Sequence, residues 1–138
     1  LLWFPKVPGP ERGYGFRRFS IADASIRTKR LAITAILDRL VAAGVMPAEH
    51  LPRVLAAVLK REELGSTGIG RGVAVPHAKY PGLATSLCAI AEFKAGVDFD
   101  SPDGQPVHVV CLILSPTDLP SEHLKVLEAA AGLLSRRH

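Results

Sequence analysis

Residues 65–81 read GSTGIGRGVAVPHAKYP, and the rest of the chain is organised around them. A loop rich in glycine and hydroxyl side chains (Gly65, Ser66, Thr67, Gly68, Gly70, Gly72) runs into the β-branched segment Val73, Ala74, Val75. Pro76 stops that segment, because proline has no N–H to donate to a ladder. The pattern predicts a brief strand over residues 73–75, with His77 at its end on the rim of a sheet, where loop side chains meet ligands. Four glycines within eight residues allow close backbone approach and expose N–H groups. Taken alone, His77 reads as an incidental rim histidine after a turn and a strand.

Working upstream, Ile33, Ile36, Leu37, Leu40 and Val41 follow the i, i+3, i+4, i+7, i+8 spacing of an amphipathic helix capped by Thr28. Gly44 ends it. A second helix begins near Ala48, with Pro52 in its first turn, where the missing N–H is tolerated. Leu51, Val54, Leu55, Val58 and Leu59 repeat the apolar spacing up to Gly65, so the two helices pack antiparallel. Lys60 and Arg61 fall in the last turn, where a solvated cation complements the helix dipole.

Downstream, residues 86–93 (SLCAIAEF) read as a strand with Leu87, Ala89, Ala91 and Phe93 on one face. Residues 95–97 and 101–104 carry turn signals. Residues 107–114 (VHVVCLIL) are almost wholly apolar and predict a central strand covered on both faces. His108 near its start reads as satisfied locally. A last helix opens at Ser121, with Leu124, Leu127, Ala131 and Leu134 facing inward. Helices alternating with short strands, one of them doubly covered, argue an α/β sandwich.

Composition excludes several classes. A chain of 138 residues is most simply one domain with a real core. No apolar run reaches the roughly 18 residues of a membrane-spanning helix, and no secretory leader pattern occurs. Cys88 and Cys111 suit small buried thiols; nothing suggests a disulfide framework or a zinc site. A cytoplasmic location follows. Of the formal charge of +4, residues 1–20 hold +3, and the other 118 residues have 13 basic and 12 acidic side chains. Without a basic stripe outside that tail, nucleic-acid binding is demoted. Residues 1–19 hold five of the eight aromatic side chains and show neither helical nor strand period. They read as an atypical N-terminal extension, either an upstream or appended segment or one that docks on its own domain or a partner.

The thirteen residues from Gly65 to His77 closely resemble the active-site segment of the type-2 enzyme IIA domains (fructose, mannitol and nitrogen-regulatory class) of the bacterial phosphoenolpyruvate-dependent phosphotransferase system. The resemblance covers residues 20–137, strongest over 61–80 and 103–128, and marks residues 20–138 as the IIA domain. Family domains run somewhat further, which leaves open a missing C-terminal element. The resemblance implies a mixed central sheet flanked by helices. It also implies that His77 accepts the phosphoryl group through Nε2, held for in-line attack by a hydrogen bond at its other nitrogen. Arg61, at the family's arginine spacing, is implied to lie near the phosphate. His123, in the matching triplet Glu122-His123-Leu124, is implied to face the active histidine, against the reading of an exposed first-turn side chain. Ser66, Thr67, Gly68 and Gly70 form the implied phosphate loop, although both hydroxyls could instead satisfy the turn. Pre-placed donors of this kind stabilise the charge of a loose phosphoryl transition state.

The implied donor is the phosphohistidine of HPr, with no metal or nucleotide cofactor. The phosphoryl group then passes to an enzyme IIB cysteine, or the phosphorylation state is read by regulatory protein targets. A free-standing domain leans to the nitrogen-type role. The alternative from another class is a non-phosphorylated interaction domain of the same fold, which a substituted His77 would have favoured. No membrane contact and no particular oligomeric state are implied. The exposed subset of Ile69, Val73, Val75, Ala78, Tyr80 and Leu83 is expected to form a docking patch, with Arg71 and Lys79 at its rim.

Overall fold

The computed structural model describes residues 14–116. In chain order they form β1 (Tyr14–Ile21), α1 (Lys29–Ala42), a 3-10 turn (Ala48–His50), α2 (Leu51–Glu63), β2 (Gly68–Gly70), β3 (Val73–Ala74), β4 (His77–Lys79), β5 (Ser86–Val97) and β6 (Val107–Ser115). The expected last helix, and His123 with it, lies outside the described residues.

Helix α1 begins where its cap predicts. Thr28 is extended, and its hydroxyl accepts the Leu31 N–H at 3.2 Å. It ends in a Schellman motif: the Gly44 N–H reaches the Val41 carbonyl at 3.0 Å and the Val45 N–H reaches Leu40 at 2.9 Å. That closure needs a left-handed residue, and Gly44 supplies it at φ +74°. The second helix starts later than its sequence suggests. Ala48–His50 is a 3-10 turn, and α2 proper opens at Leu51 with Pro52 in its first turn.

The sheet is mixed and six-stranded, in the order β1-β5-β6-β3-β2, with β4 also paired to β6. β5 and β6 are antiparallel; β1 runs parallel to β5, and β3 and β4 run parallel to β6. β6 is therefore central, as its apolar sequence requires. Leu87, Ala89, Ala91, Phe93, Val110, Leu112 and Leu114 share one buried cluster with Ile33, Ile36, Leu37, Leu40, Val54 and Val58 of the helices. Cys88, Ile90, Cys111 and Ile113 form a second buried cluster with Val73 and Val75. Alternation along the strands sends these two sets to opposite faces.

Two stretches adopt structure that their sequence patterns do not suggest. Residues 14–19, read as without strand period, belong to β1, which pairs in unbroken register from Tyr14↔Ser86 to Ile21↔Phe93. An edge strand receives its conformation from its neighbour, so its own pattern need not declare it. Residues 95–97, read as a turn, continue β5: Gly96 at φ +84° lies within an irregularity between Glu92 and Val97, after which pairing resumes at Val97↔Val107. Among the described residues no helix is long and apolar enough to cross a membrane.

Candidate functional site

Three successive residues place the imidazole of His77. Val75 precedes a proline and is restricted to extended backbone; Pro76 has a fixed φ. The main chain on either side is anchored. The Val75 N–H donates to the Thr67 carbonyl at 3.0 Å, and the Ile113 N–H of the central strand donates to the Pro76 carbonyl at 3.0 Å. On this stiff span, Nδ1 of His77 lies 2.9 Å from the Val75 carbonyl oxygen. A carbonyl can only accept, so Nδ1 carries a proton, and in the neutral ring the in-plane lone pair then resides on Nε2. The ring is half-buried. Its position refines the sequence reading: β3 ends at Ala74, and His77 opens a further strand, β4, paired to Ile113 rather than following the sheet's end.

The last turn of α2 grips the glycine loop with opposite charges from adjacent residues. Arg61 donates from its guanidinium to the Gly65 carbonyl at 3.0 Å. Glu62 is buried, and its carboxylate accepts the Thr67 N–H at 3.2 Å and the Thr67 hydroxyl. Lys29 closes the cluster, with Nζ 3.2 Å from Glu62 Oε2 and 3.2 Å from Asp100 Oδ2. Burial works against the Lys29 ammonium, but the Asp100 and Glu62 carboxylates outweigh it and raise its pKa.

The rest of the loop is clamped from below. The Ser66 hydroxyl donates to the Phe99 carbonyl and accepts the Gly68 N–H at 3.0 Å. Gly68 lies so close to the 101–104 turn that a Cβ there would stand 3.2 Å from Ser101 Cα. Gly70, Arg71 and Gly72 all take positive φ in the β2–β3 turn, and the Arg71 N–H is held by Asp103 at 3.0 Å. The N–H groups of Gln105 and Arg71 together keep the Asp103 carboxyl below its ordinary pKa.

Of the residues singled out from sequence, Arg61, Ser66, Thr67, Gly68 and Gly70 thus share one loop-and-helix unit, joined to His77 through Thr67 and Val75. The hydroxyls of Ser66 and Thr67 donate inward, and the N–H groups of Thr67, Gly68 and Arg71 are engaged within the chain. His108 donates from Nδ1 to the Phe93 carbonyl at 3.0 Å, satisfied locally as its position predicts.

The expected docking patch is corrected. Val73, Val75, Ala78, Tyr80 and Leu83 are buried, and Ile69 alone of the six is exposed, at 57%. Leu64, which sequence reasoning passed over, is 83% exposed one residue before the loop. Arg71 and Lys79 are exposed. Sequence reasoning also missed Glu62, Lys29 and the pair formed by His50 and Tyr80, whose Nδ1 and phenolic oxygen lie 2.6 Å apart. The helical spacing gives no hint of Glu62, because its partner Thr67 lies beyond the end of the helix. Among the described residues no group of three His, Cys, Asp or Glu could hold a metal ion.

Comparison with known proteins gives a consistent set of relatives. The family model for the phosphoenolpyruvate-dependent sugar phosphotransferase system, EIIA 2, matches residues 17–138. A nitrogen regulatory protein of Bradyrhizobium diazoefficiens is 38% identical over 109 residues, 79% of this chain and 69% of that protein. The fructose-specific EIIABC component of Bacillus subtilis is 42% identical over 80 residues, 58% of this chain and 13% of that protein. Among solved structures, the nitrogen regulatory protein IIA-Ntr from Neisseria meningitidis superimposes with a TM-score of 0.68 at 30% identity, covering 86% of this chain and 77% of that one.

Proposed function

This chain belongs to the EIIA 2 family of the phosphoenolpyruvate-dependent sugar phosphotransferase system, and on that premise we propose that it carries a phosphoryl group on Nε2 of His77. The observation that carries the reading is the hydrogen bond from His77 Nδ1 to the Val75 carbonyl. It fixes the tautomer in which Nε2 is the nucleophile, and it stays intact when Nε2 bonds to phosphorus. In the transfer step the Nε2 lone pair attacks phosphorus while the N–P bond of a donor phosphohistidine breaks. The donor imidazole leaves with that electron pair, and no external oxidant, metal or nucleotide takes part. The ring bearing the new bond is cationic while Nδ1 keeps its proton, and the Val75 oxygen stabilises that charge.

HPr is the donor in this reading, and the domain works in the cytoplasm. Arg61 and His123 stabilise the charge in transit. The hydroxyls of Ser66 and Thr67 hold the loop rather than the phosphate, since both donate inward. The nitrogen-regulatory role is favoured over transfer to an enzyme IIB cysteine. A nitrogen regulatory relative at 38% identity over 79% of this chain, and the IIA-Ntr structure at 30% identity with a TM-score of 0.68, support that reading. The test is incubation with enzyme I, HPr and phosphoenolpyruvate. One acid-labile, base-stable phosphate per chain is expected, absent in His77→Gln; phosphate retained by that variant would refute the assignment.

A further inference from the structure

The buried carboxylate of Glu62 has no part in the chemistry just described, yet it sits at the head of a continuous path to the reacting ring. Both the N–H and the hydroxyl of Thr67 donate to it; the Thr67 carbonyl accepts the Val75 N–H at 3.0 Å; and the Val75 carbonyl accepts Nδ1–H of His77 at 2.9 Å. Each link joins segments of different elements: the end of α2, the start of the glycine loop, and the span between β3 and β4.

Stability alone gives weak reason for such an arrangement. A buried ion pair pays desolvation on both partners, and an apolar replacement of similar volume is often neutral or better. What an ionised carboxylate provides that an apolar side chain lacks is direction. It orients one particular peptide, 66–67, and Lys29 lies 3.2 Å from its other oxygen. The same residue binds the turn twice, since the Gly65 N–H also donates to the Glu62 carbonyl at 3.1 Å. With Arg61 holding the Gly65 carbonyl from the preceding position, residues 65–67 are locked against the helix end.

The consequence reaches His77 because the orientation of the Val75 carbonyl determines which ring nitrogen keeps the proton. That carbonyl is held through the Val75 N–H on Thr67 and through the Pro76 carbonyl on Ile113. Release of the Thr67 anchor frees one of these two supports. The ring then exchanges into the form protonated on Nε2, which has no lone pair there for attack.

We propose that Glu62 is a positioning residue for the phosphoryl chemistry at His77: by fixing Thr67, and through it Val75, it holds the imidazole in the Nδ1-protonated tautomer. This deepens the reading of His77 as phosphoryl acceptor and rests on it for its functional meaning. The tautomer itself is measurable without any phosphoryl donor.

The experiment is nitrogen-15 NMR of the His77 side chain in the neutral range for the wild type, Glu62→Ala, Thr67→Val and Thr67→Ser. Circular dichroism establishes that each is folded. Thr67→Val removes the hydroxyl link at nearly constant volume and keeps the main-chain one, so it tests the path even where Glu62→Ala does not fold. The wild type and Thr67→Ser are expected to show His77 protonated at Nδ1 alone. Thr67→Val and Glu62→Ala are expected to show a clear share protonated at Nε2, with phosphoryl acceptance at least about tenfold slower. A folded Thr67→Val or Glu62→Ala whose His77 remains wholly Nδ1-protonated overturns the proposal. If instead the wild type accepts no phosphoryl group at His77, the functional reading falls, and the tautomer comparison still decides the structural claim.

Discussion

The Nδ1 of His77 lies 2.9 Å from the carbonyl oxygen of Val75, across a single proline. A hydrogen bond between residues two apart ordinarily competes with many other local conformations. Here the intervening Pro76 has a fixed φ, and the main chain is tied on one side to the glycine loop at Thr67 and on the other to the central strand at Ile113, so one ring orientation is selected. The Pro-His dipeptide is therefore a mechanical device as much as a recognisable string.

Arg61 and His123 are expected to support transfer without accepting phosphate. Arg61→Ala and His123→Ala should each slow transfer from HPr by about 100-fold, as removal of one charge-stabilising donor does. Because Arg61 also holds the Gly65 carbonyl, its variant should in addition raise amide exchange in residues 65–68, whereas His123→Ala should not. Transfer rates unchanged in both variants would return the two residues to a solvated helix cation and a surface histidine.

Gly68→Ala is expected to destabilise the protein by about 1–3 kcal/mol, because the added methyl would press on the Ser101 main chain as well as its side chain. Urea unfolding measures it directly. The corresponding change at Gly65 should destabilise by a different route: nothing lies within 4 Å of an added Cβ there, but φ +156° is a conformation that residues with a side chain rarely adopt.

Much of this was legible in the sequence, for reasons particular residues make plain. Ile33, Ile36, Leu37 and Leu40 are buried as their spacing requires, and Leu87, Ala89, Ala91 and Phe93 share one face of β5. Long elements repeat their period often enough to be read. β3 has two residues and β4 three, too few for a period, so the burial of Val73, Val75 and Ala78 was invisible beforehand. The Glu62 cluster was hidden for another reason: Lys29 is 33 positions away from it, and only the packing of α1 beside α2 unites them.

Alkaline pH should weaken the fold through the Cys111 thiol. Cys88 and Cys111 are both buried, with their sulfurs 3.2 Å apart; the Cys88 hydrogen bond and then burial push the Cys111 pKa up. A raised thiol pKa means the folded chain keeps a proton that the unfolded chain loses. Stability is thus full below the unfolded value of about 8.5 and declines as pH rises above it, by up to about 1.4 kcal/mol per pH unit. Cys111→Ala should flatten the slope of unfolding free energy between pH 8.5 and 10; an unaltered slope would assign the decline to other groups.

The exposed side chains of the glycine-rich segment should govern encounter with HPr. Reversing Arg71 and Lys79 to Glu is expected to change HPr-dependent phosphorylation in a salt-sensitive way, while a small phosphoramidate donor still modifies His77. Leu64→Ser and Ile69→Ser, which remove exposed apolar side chains just before and within the loop, should shorten the lifetime of the complex with little effect on association. If transfer from HPr is indifferent to the charge reversal at low salt, the partner docks on another face.

Phosphorus- and nitrogen-resolved NMR of the chain phosphorylated by enzyme I, HPr and phosphoenolpyruvate decides whether Nε2 of His77 carries the phosphoryl group. One phosphohistidine is expected, with phosphorus coupled to Nε2 of His77 and a proton retained on Nδ1. Phosphorus coupled to Nδ1, or to any other residue, would contradict it.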